Sequence, residues 1–137
     1  MDIRFVSSFS PIVRDVPATH ALYRDAIGVA FEGEVGDYLF TEKLEGVKHF
    51  GLWPLDQAAE ACFGTPEWPA DLITPQASIE FEVDDVAAAA AELQAAGYEL
   101  IHEPRTEPWG QTIARVLDPN GLIVGLSFTP WMREDLK

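Results

Sequence analysis

Glu80 and Glu82 lie two residues apart in the run Ser78-Ile79-Glu80-Phe81-Glu82-Val83-Asp84. That spacing sets both carboxylates on one face of a strand with Ser78, and leaves Ile79, Phe81 and Val83 on the other. Paired carboxylates in a partly apolar cleft acquire raised pKa values and act as bases near neutrality; at an open sheet rim they are merely solvated. Arg115 shares a parity with Trp109, Gln111 and Ile113 in a second strand candidate. It reads either as a ligand-facing cation or as the ion-pair partner of one of the two glutamates. His49 falls in the strand candidate 47–52, whose alternation turns it toward the helix side as a hydrogen-bonded core residue. A slip of one residue in register would aim it the other way. His20 on a helix and His102 near a strand end read as structural or exposed. The flat rings of Phe40, Phe50, Trp53, Trp68, Trp109 and Trp131 suit either core packing or the stacking of a planar ligand. No Ser-His-Asp order, P-loop or GxGxxG is present.

The elements that must position these side chains come in two similar sets. Residues 3–14 alternate loosely and predict a strand. Asp15 then caps a helix from Val16, with Pro17 in its first turn, that ends near Gly28. Short strands are expected at 29–34 and 37–42, and another at 47–52 after Gly46. The stretch 53–77 carries Pro54, Pro66, Pro69 and Pro75 and one short helix, Gln57 to Phe63, with Asp56 as its cap and Gly64 as its stop. It is long for a connection and is expected to cover something. The second set is a strand at 78–84, a helix from Val86 to Ala96 capped by Asp85 and ended by Gly97, and a strand from Tyr98 to His102. A loop at 104–108 follows, and then a hairpin. Asp118-Pro119-Asn120-Gly121 is its turn: Pro119 presets φ, Asn120 and Gly121 tolerate positive φ, and Asp118 bonds back to the turn backbone. The Asp-Val pairs at 15–16 and 85–86 and the glycines at 28 and 97 match between the sets. A strand-helix-strand-strand-strand unit used twice is an α+β architecture. One domain is expected: a module over about 1–52, a linker over 53–75, a module over about 76–128 and a tail over 129–137.

The 137 residues are 47% hydrophobic and carry a net charge of −14, with mean hydropathy near zero. Phosphate backbones and anionic membranes are therefore poor partners, since both need clustered Lys and Arg. A field of this sign concentrates cationic ligands, though solubility alone also accounts for it. No apolar run approaches the ~20 residues of a membrane span, and Met1-Asp2-Ile3-Arg4 does not open a signal peptide. One cysteine, Cys62, excludes an internal disulfide and a cysteine-based zinc site. Cytoplasm is the expected compartment.

The order Trp109-Gly110, Asp118-Pro119-Asn120-Gly121 and a closing strand resembles the final hairpin of the vicinal oxygen chelate superfamily. That superfamily holds glyoxalase I, ring-cleaving dioxygenases and the bleomycin-resistance proteins. The resemblance covers nearly the whole chain and implies two tandem βαβββ modules around a concave cleft. In metal-using members each module supplies one His, Glu or Gln ligand from its first strand and one from its last. Counting from the capping aspartates gives Ser8 and Ser78. Counting from the glycine before each final strand gives Phe50 and Gly125. Such a set holds no transition metal, so the resemblance implies no metal and no cofactor. What it implies instead is a metal-free small-molecule binder like the bleomycin-resistance proteins, sequestering a planar aromatic or cationic antibiotic. Trp109 would stack on the ligand, with Phe50, Phe40, Glu80, Glu82, Arg115 and Gln111 around it, in a homodimer. The alternative is a glyoxalase-like lyase or isomerase using a non-standard metal set, or Glu80, Glu82 or His49 as base.

Overall fold

The computed structural model describes residues 1–136. The chain opens with strand β1 (Val6–Val13) and helix α1 (Val16–His20), which widens into a π-helical turn over Ala21–Ala26. Strands β2 (Leu39–Thr41) and β3 (Phe50–Pro54) and helix α2 (Leu55–Phe63) follow. The second set is strand β4 (Ala77–Glu82), helix α3 (Val86–Ala95) and strands β5 (His102–Thr106), β6 (Thr112–Leu117) and β7 (Ile123–Phe128). Two 3-10 turns, Pro130–Met132 and Glu134–Leu136, form the tail. The seven strands make one mixed sheet in the order β2-β3-β1-β4-β7-β6-β5.

Both halves follow the same plan, as the sequence predicts. Outward from the centre, β1 is flanked by β3 and then β2, and β4 by β7, β6 and β5. A single bridge from Glu32 to Phe40 stands where the first half would carry its outermost strand. The central pair is antiparallel with Phe9 opposite Ile79. The offset that carries Asp15 to Asp85 also carries Phe9 to Ile79, so this pair marks a pseudo-twofold axis. Local chemistry repeats too. The Asp15 carboxylate accepts the Ala18 N–H and the Asp85 carboxylate the Ala88 N–H, each at 3.0 Å, satisfying one orphan donor per helix. At the hairpin turn Asp118 accepts the N–H groups of Asn120 and Leu122 at 2.8 Å, and Gly121 alone takes positive φ, 87°.

Helix α3 covers the convex face, where Val86, Ala89 and Ala90 meet Val83, Ala114 and Leu126. Helix α2 packs on the sheet through Ala58 and Cys62, against Ile123, with Ile12, Trp53 and Leu117 beside them. Trp68 meets Phe63 edge-on at 5.0 Å and belongs to this packing. Each fully buried aliphatic such as Leu52, Ile113 or Ile123 contributes about 1.5–3 kcal/mol by leaving water.

Several local expectations are corrected. The strand expected at 98–102 lies at His102–Thr106, because Tyr98 is spent closing α3 through its N–H to Leu93 O. Pro104 is tolerated inside β5 because β5 is an edge strand. Residues 29–34 form only the Glu32 bridge. Helix α2 starts after Pro54 with no side-chain cap; Asp56 lies in its first turn and accepts the Gln57 N–H. The most consequential shift concerns β3. Phe50 pairs with Phe9 and meets the rings of Phe9, Tyr23 and Phe31 at 6.0–6.4 Å. It therefore faces the α1 side, and His49, Gly51 and Trp53 have the opposite parity.

Candidate functional site

The concave face forms a cleft of about 420 Å³. Ser8, Ser10 and Glu80 come from the two central strands. Tyr38, Phe40, His49 and Trp53 come from the first half, and Trp109, Gln111 and Arg115 from the second. Ser7, Glu42 and Gln57, with Trp131 and Met132 of the tail, complete the lining. Of the residues singled out by sequence, Trp109, Phe40, Glu80, Arg115 and Gln111 meet here. Phe50 and Glu82 do not.

Register decides which residues hold the four ligand positions. Gly125 pairs with Glu80, whose pseudo-symmetric counterpart is Ser10. One step beyond the Phe9–Phe50 pair, Ser10 stands beside Gly51. Gly51, not Phe50, is thus the counterpart of Gly125, and the set is Ser8, Gly51, Ser78 and Gly125. These residues do not fit a metal centre. Glycine has no donor side chain, and serine is a poor substitute for imidazole or carboxylate. The space is also taken: a β-carbon on Gly125 would lie 2.8 Å from Glu80 Cγ and 3.0 Å from Ile113 Cδ1, and one on Gly51 would strike the Tyr38 phenol. Among the described residues no group of three or more His, Cys, Asp or Glu side chains converges to hold a metal.

In the first half, Tyr38 Oη lies 2.5 Å from His49 Nε2, and His49 Nδ1 lies 3.1 Å from Glu42 Oε1. The rings of Tyr38, Phe40 and His49 are nearly parallel, with centroids 5.3–6.0 Å apart. Burial, and then the charge of Glu80, push the Tyr38 phenol far above its ordinary range. The Trp131 indole N–H reaches Glu42 Oε1 at 3.3 Å.

In the second half a chain of polar contacts runs through Gln111. Its amide donates to Glu80 Oε1 at 3.0 Å and to Thr129 Oγ1 at 2.9 Å, and its carbonyl accepts the Trp109 indole N–H at 3.1 Å. Trp109 itself is 55% exposed. Arg115 is almost fully buried, and its partner is Glu107 at 3.4 Å rather than either glutamate of β4. Its guanidinium lies 5.7 Å from the Trp53 ring centroid and donates to His102 Nε2 at 3.1 Å. His102 Nδ1–H donates to Glu103 O at 2.8 Å, which leaves Nε2 free to accept. Burial, and also the charge of Arg115, hold His102 below its usual range, consistent with a neutral ring.

Glu82 is fully buried and serves the tail. It accepts the Thr129 N–H at 2.6 Å and the Ser127 hydroxyl at 3.2 Å, with Arg133 Nη1 at 3.8 Å. Burial raises its pKa despite these partners. Arg133 also pairs with Asp84 at 2.5 Å and, within the tail, with Asp135 at 2.8 Å, so Thr129 on Glu82 and Arg133 on Asp84 fasten the segment bearing Trp131 on both sides. Sequence reasoning missed Tyr38, Glu42 and the Ser10 position, and turned His49 the wrong way. The signal for His49 was present: Phe50, Leu52 and Pro54 form the apolar parity of β3, and counting from Gly46 overrode it.

Among the curated proteins none matches this chain in sequence. Solved structures do match in fold. A glyoxalase/bleomycin resistance protein/dioxygenase superfamily member from Vibrio splendidus 12B01 aligns at TM-score 0.59 and 15% identity, over 93% of this chain and 100% of that one. A methylmalonyl-CoA epimerase from Streptomyces coelicolor aligns at TM-score 0.54 and 18% identity, over 93% and 99%. A structure described as an NAD-dependent benzaldehyde dehydrogenase from Legionella pneumophila aligns at 0.56 and 11%, over 88% and 96%. Likeness at such identities speaks to the fold alone. The sequence itself adds a match to one family pattern across residues 7–126, which spans both halves and the hairpin. The chain belongs to the Glyoxalase/Bleomycin resistance protein/Dioxygenase superfamily.

Proposed function

We propose that this protein is a small-molecule binder that holds a planar, neutral or cationic aromatic compound in the cleft without a metal, in the manner of an antibiotic-sequestering protein. The observation that carries the reading is the replacement of a ligand set by Gly51 and Gly125, with Tyr38 and Glu80 filling the vacated space. What remains is an aromatic lining, Phe40, Trp53, Trp109 and Trp131, with Glu42 and Glu80 as its carboxylates. The volume falls in the range of about 300–1,000 Å³ usual for small-molecule sites. One well-placed ring pair adds about 0.5–1.5 kcal/mol beyond area burial. The net charge of −14 favours encounter with cations and fades in salt. The working species is a homodimer, to be checked by light scattering.

The test is a titration of intrinsic tryptophan fluorescence with bleomycin, mitomycin C and ethidium. Saturable binding of at least one supports the reading. Failure of all three, with binding of a small anionic thioester or keto acid instead, would overturn it.

A further inference from the structure

We propose that Tyr38, His49 and Glu42 form a proton relay, by which the cleft removes a proton from a bound planar molecule and returns it to a different atom. The inference rests on the binding of planar molecules in this cleft and adds a proton-shift activity to it.

The hydrogen-bond directions follow from the atoms present. Glu42 as a carboxylate can only accept, so in the neutral ring His49 Nδ1 carries the proton and donates it at 3.1 Å. His49 Nε2 is then a bare acceptor, and the contact at 2.5 Å is Tyr38 O–H donating to it. The order hydroxyl, imidazole, carboxylate is that of an activated hydroxyl. All three side chains line the cleft. Two further features go beyond ring packing. Tyr38 reaches its place only because position 51 has no β-carbon, and Glu42 is held from a second side by the Trp131 indole. Glu80 faces the phenol from β4 and, with burial, keeps it protonated. Tyr38 therefore hands protons on rather than storing a negative charge, and His49 is the base.

The step balances without a co-reactant. A C–H or O–H proton of the ligand passes to Tyr38 Oη while the phenol's own proton passes to His49 Nε2. The electron pair of the broken bond stays on the ligand as a delocalised anion. Glu42 offsets the imidazolium charge, and the reverse transfer protonates another atom of that anion. Substrates are planar conjugated molecules with an acidic proton, such as enolisable aryl ketones. The reaction is tautomerisation.

The probe is 5-nitrobenzisoxazole, a flat neutral molecule. A base takes its ring C–H proton, the N–O bond breaks, and the electron pair ends on a coloured phenolate. Binding is followed separately with 5-nitrobenzotriazole, an unreactive isostere, by tryptophan fluorescence. Wild type should turn the probe over saturably. His49→Gln and Tyr38→Phe should each lower kcat about a hundredfold, the low end of general-base contributions. Glu42→Gln, an isosteric change at a part-exposed positioning residue, should lower kcat several-fold while KM and nitrobenzotriazole affinity stay within about twofold, the signature of an interaction made in the transition state. Thermal melting verifies folding, and Glu42→Gln carries the test if the other two variants unfold. Nitrobenzotriazole binding with no turnover, or with turnover unchanged in the variants, overturns the relay and leaves the binding reading standing. Absence of both nitrobenzotriazole binding and turnover overturns the relay, while the binding reading is decided by the bleomycin, mitomycin C and ethidium titration.

Discussion

Gly51 and Tyr38 are complementary in shape. A β-carbon on Gly51 would sit 2.6 Å from Tyr38 Cζ and 2.7 Å from Cε2, inside the volume of the ring. Gly51 has no positive φ, so steric space alone requires the glycine. Gly51→Ala should therefore expel the phenol or strain β3. Overpacking of this kind costs about 1–3 kcal/mol, which urea denaturation would read. A stability equal to wild type would show that Tyr38 has another place to go.

Ser8, Gly51, Ser78 and Gly125 supply no ligand set, so purified protein should contain no stoichiometric transition metal by elemental analysis. One metal per subunit, lost on His49→Gln, would contradict the register argument.

Trp109 is half-exposed and its indole N–H donates to Gln111. Trp109→Ala should weaken binding of a planar aromatic ligand by about tenfold, an anchor-residue loss of ~1.4 kcal/mol, with little change in the thermal midpoint. A collapse of the midpoint would make Trp109 a packing residue instead.

Glu82 has a folded-state pKa raised above its ordinary value of 4.5. The unfolded chain then ionises first as pH rises, so this group costs stability progressively from about pH 4.5 upward until the folded form ionises too. Glu82→Gln should remove that cost: the variant's stability relative to wild type should rise from pH 4 to pH 7. A relative stability that falls over the same range would mean that Arg133 dominates the site.

The two capping aspartates should behave alike. Asp15→Ala and Asp85→Ala each remove the acceptor for one N–H at the start of a helix and should cost about 0.5–2 kcal/mol. An unchanged denaturation midpoint in either would show that water replaces the cap.

The duplicated plan was legible because its signals are local: Asp-Val starts, Gly97 at a helix end, and the Asp118–Gly121 turn. The second half of the cleft was legible for the same reason, since strict alternation in 78–84 and in the hairpin fixed parity. The first half was not. β2 is three residues long, too short for a period, and the loop before β3 has its own length, so counting from Gly46 put Phe50 where Gly51 stands. Only the ladder with β1 resolves a one-residue slip. Glu82 showed the same limit: its parity was right, and long-range bonds to Thr129 and Arg133 removed it from the cleft.

The walls of the cleft are fastened by different forces. The sheet walls rest on backbone ladders and apolar packing, while the segment carrying Trp131 depends, beyond the buried Thr129–Glu82 bond, on the ion pair of Arg133 with the half-exposed Asp84. Ionic strength weakens exposed ion pairs and leaves the other attachments nearly untouched. Raising salt therefore loosens one wall of a container whose other walls stay put. Its effect belongs in the residence time of whatever the cleft holds, which should shorten while the melting temperature barely moves.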